Sequence, residues 1–316
     1  MNDKKHAKAI PLAHRGCFDK GPENTMPAFE EAVQCGMGGL EIDIRRTRDG
    51  EIVVFHDDTA ERLTRGYHGA WQNVPIAELT LSQVKQIRLP YGGHLLQHFP
   101  KAGFCREMTY YCPWELMSAE EIREWEEQDH TVEELQQLYK TCDSKYEKAV
   151  AEDGRTAQIL TLEEFLVWLG RQPETFLAEI EYKDYGMTAE VVRLLEKTGT
   201  FGRCILFSGV TGQVEEMQRW FQKNGLPDGL RLGANIRWYN DEMREQIRDW
   251  HLYEVGLNAD AFMAEDVKQL NDRGIRIFSN LGDYPQWWEK LDSLGVDAFK
   301  TNTGKMWKKF KTSNTL

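Results

Sequence analysis

Eight short β-rich runs, most of them separated by stretches of helical period, constrain this chain more than any other feature. They are residues 9–14, 39–45, 175–183, 204–208, 230–236, 253–259, 274–280 and 297–302. Residues 26–35, 161–169, 188–197, 214–224 and 264–273 carry apolar side chains at helical spacing. Alternation of this kind calls for parallel strands, because a parallel crossover needs a dozen or more residues and usually holds a helix. Eight strand–helix units predict an α/β fold, a TIM-type (β/α)8 barrel formed by residues 1–316 as a single domain. At 41% hydrophobic over 316 residues, the chain has the apolar surface to fill such a core.

Two segments break the alternation. The run 52–56 follows the second strand across Arg45-Arg46-Thr47-Arg48-Asp49-Gly50, too short a link for a parallel crossover. Asp49-Gly50 is a strong hairpin-turn dipeptide, so this run is expected to fold back antiparallel and carry His56 toward Glu41 and Asp43. Residues 90–157 open with Pro90-Tyr91-Gly92-Gly93 and become a highly charged helical run, which predicts a largely helical insertion on the loop face of the barrel. The basic, aromatic tail 305–311 is expected to cap the barrel as a helix.

Charge and cysteine usage narrow the function classes. Lys and Arg number 39 against 51 Asp and Glu, a net charge of −12. Nucleic acid is thus not an expected partner, since phosphate-backbone affinity comes from Lys and Arg. No apolar run approaches the roughly 20 residues of a membrane span, so stable membrane insertion is not expected. The polar start lacks an apolar signal core, and six widely spaced cysteines suit reduced thiols, which together predict a cytoplasmic protein. Oligomeric state has no signature here.

Polar residues gather at the predicted strand ends. The first strand ends in His14-Arg15-Gly16, and the second contains Glu41-Ile42-Asp43, whose carboxylates two apart point to one side. The hairpin run ends in His56-Asp57, and Glu179, Glu181 and Lys183 share one face of the next strand. Inside a barrel mouth such charges need partners. Several carboxylates converging there suit one divalent cation bound through oxygen, Mg²⁺ or Ca²⁺ rather than zinc. With Arg15 and Lys183 beside it, the cation makes a site for a phosphate oxyanion, and His14 and His56 supply proton donors and acceptors. Singly each group has an ordinary structural explanation. Four charged clusters at strand ends are harder to explain that way, and together they describe phosphodiester cleavage of a small-molecule substrate.

The order of motifs also resembles a known family. His14-Arg15-Gly16, Pro22-Glu23-Asn24-Thr25 with Ala28-Phe29, Glu41-Ile42-Asp43, Thr47-Arg48-Asp49-Gly50, His56-Asp57 and Arg62-x-Thr64 are similar to the glycerophosphodiester phosphodiesterases. The likeness is dense over 13–66, continues at Leu160-Thr161-Leu162-Glu163-Glu164 and Glu181-Tyr182-Lys183, then thins. It implies a TIM-like barrel, a divalent metal, and hydrolysis of a glycerophosphodiester to glycerol phosphate and an alcohol. Carried over by position, it implies catalytic His14 and His56, metal ligands Glu41, Asp43 and Glu181, and phosphate-binding Arg15 and Lys183. Glu179 is then expected deeper, behind the metal ligands. Glu23 and Asn24 are expected to order the mouth, with Asn24 as a candidate cap for the helix from Met26.

Departures from the family lie late in the chain. Phe278-Ser279 stands where Trp-Thr is usual, and Thr301-Asn302 where Thr-Asp is usual. Phe278, Asn302 and the insertion are therefore expected to read the alcohol, with Asn302 removing a negative charge and choline no better a leaving group than others. Removal of any one metal carboxylate is expected to relieve repulsion and leave stability intact. A lysophospholipase D or sphingomyelinase-D-like lipid phosphodiesterase is the alternative enzyme, with Tyr110, Tyr111, Trp114 and Leu116 as lipid contacts. A catalytically silent phosphate-binding barrel is the alternative outside enzymes. His94, His98, Cys105 and Cys112 are ligand types that zinc accepts, but their spacing matches no standard finger.

Overall fold

The computed structural model describes residues 8–17, 21–64, 67, 69–91, 154–280, 282–283, 285–302 and 304–313. The eight expected strands are all present, six of them trimmed to their hydrogen-bonded centres and two, the second and fifth, running one residue further than expected. They are β1 (Ile10–His14), β2 (Gly39–Arg46), β7 (Leu177–Tyr182), β8 (Cys204–Phe207), β9 (Arg231–Arg237), β10 (Glu254–Leu257), β11 (Arg276–Ser279) and β12 (Ala298–Thr301). Each pairs in parallel with its neighbour, in the order β1-β12-β11-β10-β9-β8-β7-β2, and β1 pairs again with β2 to close the barrel.

Alternation along each strand sorts side chains between two cores. Outward residues such as Leu40, Ile42, Ile180, Leu206 and Ile277 pack under the helices. These include α1 (Met26–Gln34), α3 (Leu162–Leu169), α4 (Thr188–Thr198), α5 (Thr211–Asn224) and α7 (Ala264–Asp272). Inward residues Leu12, Ile205, Phe278 and Ala298 form a small apolar layer inside the barrel. Phe278 is therefore core, packed edge-on to Tyr253 at 6.5 Å between ring centroids, and not part of the mouth. Strand alternation explains this: Phe278 points inward two residues below Asn280, the next inward position toward the mouth.

The run 52–56 folds back as expected. β3 (Ile52–Val54) pairs antiparallel with the upper part of β2, and Gly50 takes a φ of 88° in the turn. Thr47 stitches the turn, its hydroxyl donating to Asp49 Oδ1 at 2.6 Å. A further short strand, β6 (Leu160–Thr161), covers the free edge of β3. Thr161 then caps α3, in a reciprocal capping box with Glu164.

The insertion is closed at its base by two short strands. β4 (Leu89–Pro90) pairs antiparallel with β5 (Thr156–Ala157), after a single helical turn α2 (Leu81–Val84). The Tyr91 amide donates to Arg155 O at 3.0 Å, and the Arg155 guanidinium lies 4.6 Å above the Tyr91 ring. His94, His98, Cys105, Cys112 and the aromatic residues 110–116 fall outside the described residues. Late in the chain come α6 (Asp241–Gln246), α8 (Pro285–Leu294) and the expected tail helix α9 (Gly304–Ser313). α9 does not cap the barrel but packs on its outer face, setting Trp307 and Phe310 each 5.2 Å from the Trp288 ring. Among the described residues, no helix is long and apolar enough to cross a membrane.

Because the base of the insertion is a strand pair that a tight turn can join, replacing 92–153 by Asn-Gly should leave the barrel folded. A melting temperature within about 5 °C of the full chain, read by circular dichroism, is expected; loss of cooperative unfolding would contradict it.

Candidate active site

Strand register builds the site. His14 on β1 lies opposite Glu41 on β2, Glu41 opposite Glu179 on β7, and Asp43 opposite Glu181. Neighbouring strands run about 4.8 Å apart, so inward carboxylates at matched positions must crowd together. One oxygen from each of Glu41, Asp43 and Glu181 falls within 4.8 Å of the others. Glu41 Oε1 is buried with no hydrogen-bond partner. Burial, and then the charges of Asp43 and Glu181, push the Glu41 carboxyl well above its usual range. An orphan carboxylate oxygen in an all-oxygen cluster fits a hard divalent cation.

The three acids are not equivalent. Asp43 is fully buried, which alone would raise its pKa, yet Lys183 and Arg15 hold it well below the usual carboxylate range. Lys183 Nζ sits 3.0 Å from Asp43 Oδ1 and 2.8 Å from Glu181 Oε2, and Arg15 Nε sits 3.1 Å from Asp43 Oδ2. Asn24 Nδ2 donates to the same Oδ2 at 2.9 Å. The expected helix cap at Asn24 is thus corrected. Thr25 is the residue before α1, and Asn24, at a φ of 55°, turns its amide to the buried acid instead.

Arg15 is the hub of a longer chain of charges. It too takes a left-handed φ, 58°, followed by Gly16 at 90°. A Cβ on Gly16 would stand 2.8 Å from Ala28 Cβ, so only glycine admits this approach to α1. Arg15 Nη1 donates to Glu23 Oε1 at 3.2 Å. Burial works against both charges. Arg62 and Arg15 nonetheless keep Glu23 ionised, and Asp43, Glu23 and Glu41 keep Arg15 protonated. Arg62 grips both Glu23 oxygens at 2.7 and 3.2 Å and reaches Asp57 Oδ2 at 2.5 Å. Asp57 Oδ1 in turn lies 2.5 Å from His56 Nδ1. Arg45 fixes the same loop, donating from Nε to His56 O at 2.8 Å.

His14 is held differently. Buried Asp283 accepts from the Asn302 amide N–H at 2.7 Å and from Asn302 Nδ2 at 2.9 Å. That fixes the Asn302 carbonyl as an acceptor toward His14 Nδ1, 2.7 Å away. His14 therefore carries a proton on Nδ1, so that in the neutral ring the lone pair is on Nε2, 3.7 Å from Glu41 Oε2. The negative charge expected to be missing at position 302 is restored one contact away by Asp283, a correction that sequence spacing could not supply.

Beneath the acids, Lys300 on β12 pairs with Glu179 Oε1 at 3.0 Å, and Phe207 lies under its ammonium at 4.6 Å. Glu179, in register with Glu41, thus has Lys300 as its partner instead of the acid cluster. Glu254 on β10 is buried over Gly233, where any Cβ would collide with its carboxylate. Burial and then Glu179 push the Glu254 carboxyl well above its usual range, and Lys300 partly offsets them. Sequence reasoning missed Lys300, Glu254 and Asp283. It also missed an asparagine at the mouth end of each of β9, β10 and β11, namely Asn235, Asn258 and Asn280, a recurrence visible once the strands are aligned.

The model of the Glycerophosphoryl diester phosphodiesterase family matches residues 14–304. A glycerophosphodiester phosphodiesterase of Caldanaerobacter subterraneus is 39% identical over 80 residues, 25% of this chain and 30% of that protein. Glycerophosphodiester phosphodiesterase 1 of Homo sapiens is 37% identical over 112 residues, 34% of this chain and 32% of that protein. The matched segments thus span about a third of these relatives. A phosphodiesterase of Oleispira antarctica, solved with the product sn-glycerol-3-phosphate, superposes with a TM-score of 0.62 at 16% identity, covering 98% of both chains. A glycerophosphodiester phosphodiesterase of Parabacteroides distasonis gives 0.64 at 14% identity, over 98% of this chain and all of that one. At such identities the structural likeness is one of fold.

The inequality of the acids corrects the expectation that removing any of them spares stability. In chelator-treated protein, Glu41→Gln should unfold at the same or higher urea concentration, because it relieves repulsion. Asp43→Asn should lose about 3–5 kcal/mol, because Arg15 and Lys183 lose the buried charge they share and keep only Glu23 and Glu181. Equal stabilities for the two variants would contradict this division.

Proposed function

The chain belongs to the glycerophosphoryl diester phosphodiesterase family, and from that premise we propose that it hydrolyses glycerophosphodiesters to glycerol phosphate and an alcohol. The observation that carries the reading is the cluster of Glu41, Asp43 and Glu181, with Arg15, Lys183 and His14 Nε2 gathered on it. A lipid phosphodiesterase would use the same groups, but no described residue favours it specifically. A silent binding barrel has no use for two differently braced histidines.

Glu41, Asp43 and Glu181 would hold one divalent cation, Mg²⁺ or Ca²⁺. Such an ion, when bound, polarises a phosphoryl oxygen and offsets charge that develops on it. The chain's own residues do the rest. Arg15 and Lys183 neutralise the remaining phosphoryl oxygens, and both stay charged because the buried acids hold their protons in place. Their side chains are already oriented by Asp43, Glu23 and Glu181, so little reorganisation accompanies binding.

His14 and His56 move the protons. One takes a proton from the attacking oxygen and the other returns one to the departing oxygen. Asn302 fixes the tautomer of His14, and Asp57, itself locked by Arg62, fixes the ring of His56 and offsets the charge of an imidazolium. Glu23 couples the two sides, since Arg62 and Arg15 share its carboxylate.

Activity on a panel of glycerophosphodiesters should vanish with EDTA and return with added Mg²⁺ or Ca²⁺; full turnover in EDTA would rule out the cation site. His14→Ala and His56→Ala should each lower kcat by roughly 10²-fold or more with little change in KM. The double variant should fall by much less than the product of the two losses, since groups acting as one unit are non-additive. Fully multiplicative losses would count against a proton-exchanging pair.

A further inference from the structure

The mouth of the barrel has two unlike halves. The ends of β1, β2 and β7 carry every group assigned above to phosphate and cation. The ends of β9, β10 and β11 carry Asn235, Asn258 and Asn280. Alternation turns these side chains inward: each lies two residues beyond an inward position, Gly233, Gly256 or Phe278. Gly256 has no side chain to separate them. A Cβ there would stand 3.2 Å from Asn235 Oδ1.

The three amides form one cluster. Asn280 Nδ2 donates to Asn235 Oδ1 at 2.8 Å and to Asn258 Oδ1 at 3.1 Å. Both hydrogens of Asn280 are thereby used, and both other carbonyls are turned toward it. The side-chain amide nitrogens of Asn235 and Asn258 and the side-chain carbonyl of Asn280 have no protein partner among the described residues, and all three side chains are half-buried. The cluster also adjoins the phosphate site. A Cβ on Gly209 would lie 3.4 Å from Glu181 Oε1 and 3.9 Å from Asn235 Nδ2, so the cation ligand and the first amide line the same niche.

Resting on the phosphodiesterase reading, we propose that Asn235, Asn258 and Asn280 form a polyol subsite that hydrogen-bonds the hydroxyls of an alcohol esterified to the phosphate. Fixed amide donors beside a fixed carbonyl acceptor match neighbouring hydroxyls, each of which both donates and accepts. A quaternary ammonium offers neither, and is recognised by aromatic faces or by charge, which an amide cluster does not supply. The chemistry is the same whether the polyol is the glycerol of the substrate or a hydroxylated head group.

The test compares three substrates in the presence of Mg²⁺ or Ca²⁺: glycerophosphoglycerol, glycerophosphocholine and bis(p-nitrophenyl) phosphate, the last with no aliphatic hydroxyl. Asn280→Ala should lose kcat/KM on glycerophosphoglycerol by about tenfold more than on bis(p-nitrophenyl) phosphate, mainly through KM. Asn258→Ala should show the same ratio, and serves if Asn280→Ala melts early. A matching loss on glycerophosphocholine assigns the subsite to the glycerol arm; a loss confined to glycerophosphoglycerol assigns it to the head group. Parallel losses on all three substrates, or none, in an active protein would overturn the subsite alone. Wild-type protein inactive on all three would overturn the phosphodiesterase reading and the subsite with it.

Discussion

The carboxylate of Asp43 is the charge on which the site depends. It is wholly buried, and it is matched by groups from three separate segments: Arg15 after β1, Asn24 before α1, and Lys183 after β7. A lone buried carboxylate would be prohibitively costly. The left-handed backbone at Arg15 and Asn24, and the glycine at position 16, follow from the need to bring those groups onto one acid. The register between β2 and β7 then sets Glu181 beside it.

From that acid, order spreads outward by shared partners. Arg15 passes it to Glu23, Glu23 to Arg62, Arg62 to Asp57, and Asp57 to the ring of His56. His56 sits on a loop outside the barrel proper, and this relay, with Arg45, is what holds it against the interior. His14 needs no such relay. It stands on a barrel strand, and only its tautomer must be settled, through Asn302 and Asp283. Two histidines proposed for one reaction are thus braced by opposite means, one by a neutral amide and one by a carboxylate.

Inside the barrel, apolar and charged side chains interleave below the mouth. Leu12 and Ile205 stand in register with Lys300 and Glu179, which pair with each other, and Glu254 is buried against Gly233. The acid cluster and the asparagines lie toward the strand ends. Lys300 keeps its proton against burial because Glu179, Glu254 and Glu41 surround it. Its positive charge offsets part of the repulsion felt by Glu41.

Much of this was legible in the chain itself. Alternating β-rich and helical runs determined the eight-stranded barrel, because period and link length leave few topologies. The too-short link at Asp49-Gly50 determined the back-folded hairpin that carries His56, and the pattern of strand ends brought several carboxylates to the mouth, with the choice of Glu181 over Glu179 resting on the family likeness. Pairwise choices among equals were not legible. Whether Asn24 caps a helix or holds Asp43, whether Phe278 meets the mouth or the core, and where a charge absent at Asn302 reappears all depend on residues distant in sequence. Asp283 reaches Asn302, and Asn280 reaches Asn235, only across strands brought together by closure. Local pattern decides which elements form and which face is buried; hydrogen-bond partners and the protonation of buried groups are decided by three-dimensional neighbours, which exist only once the barrel closes.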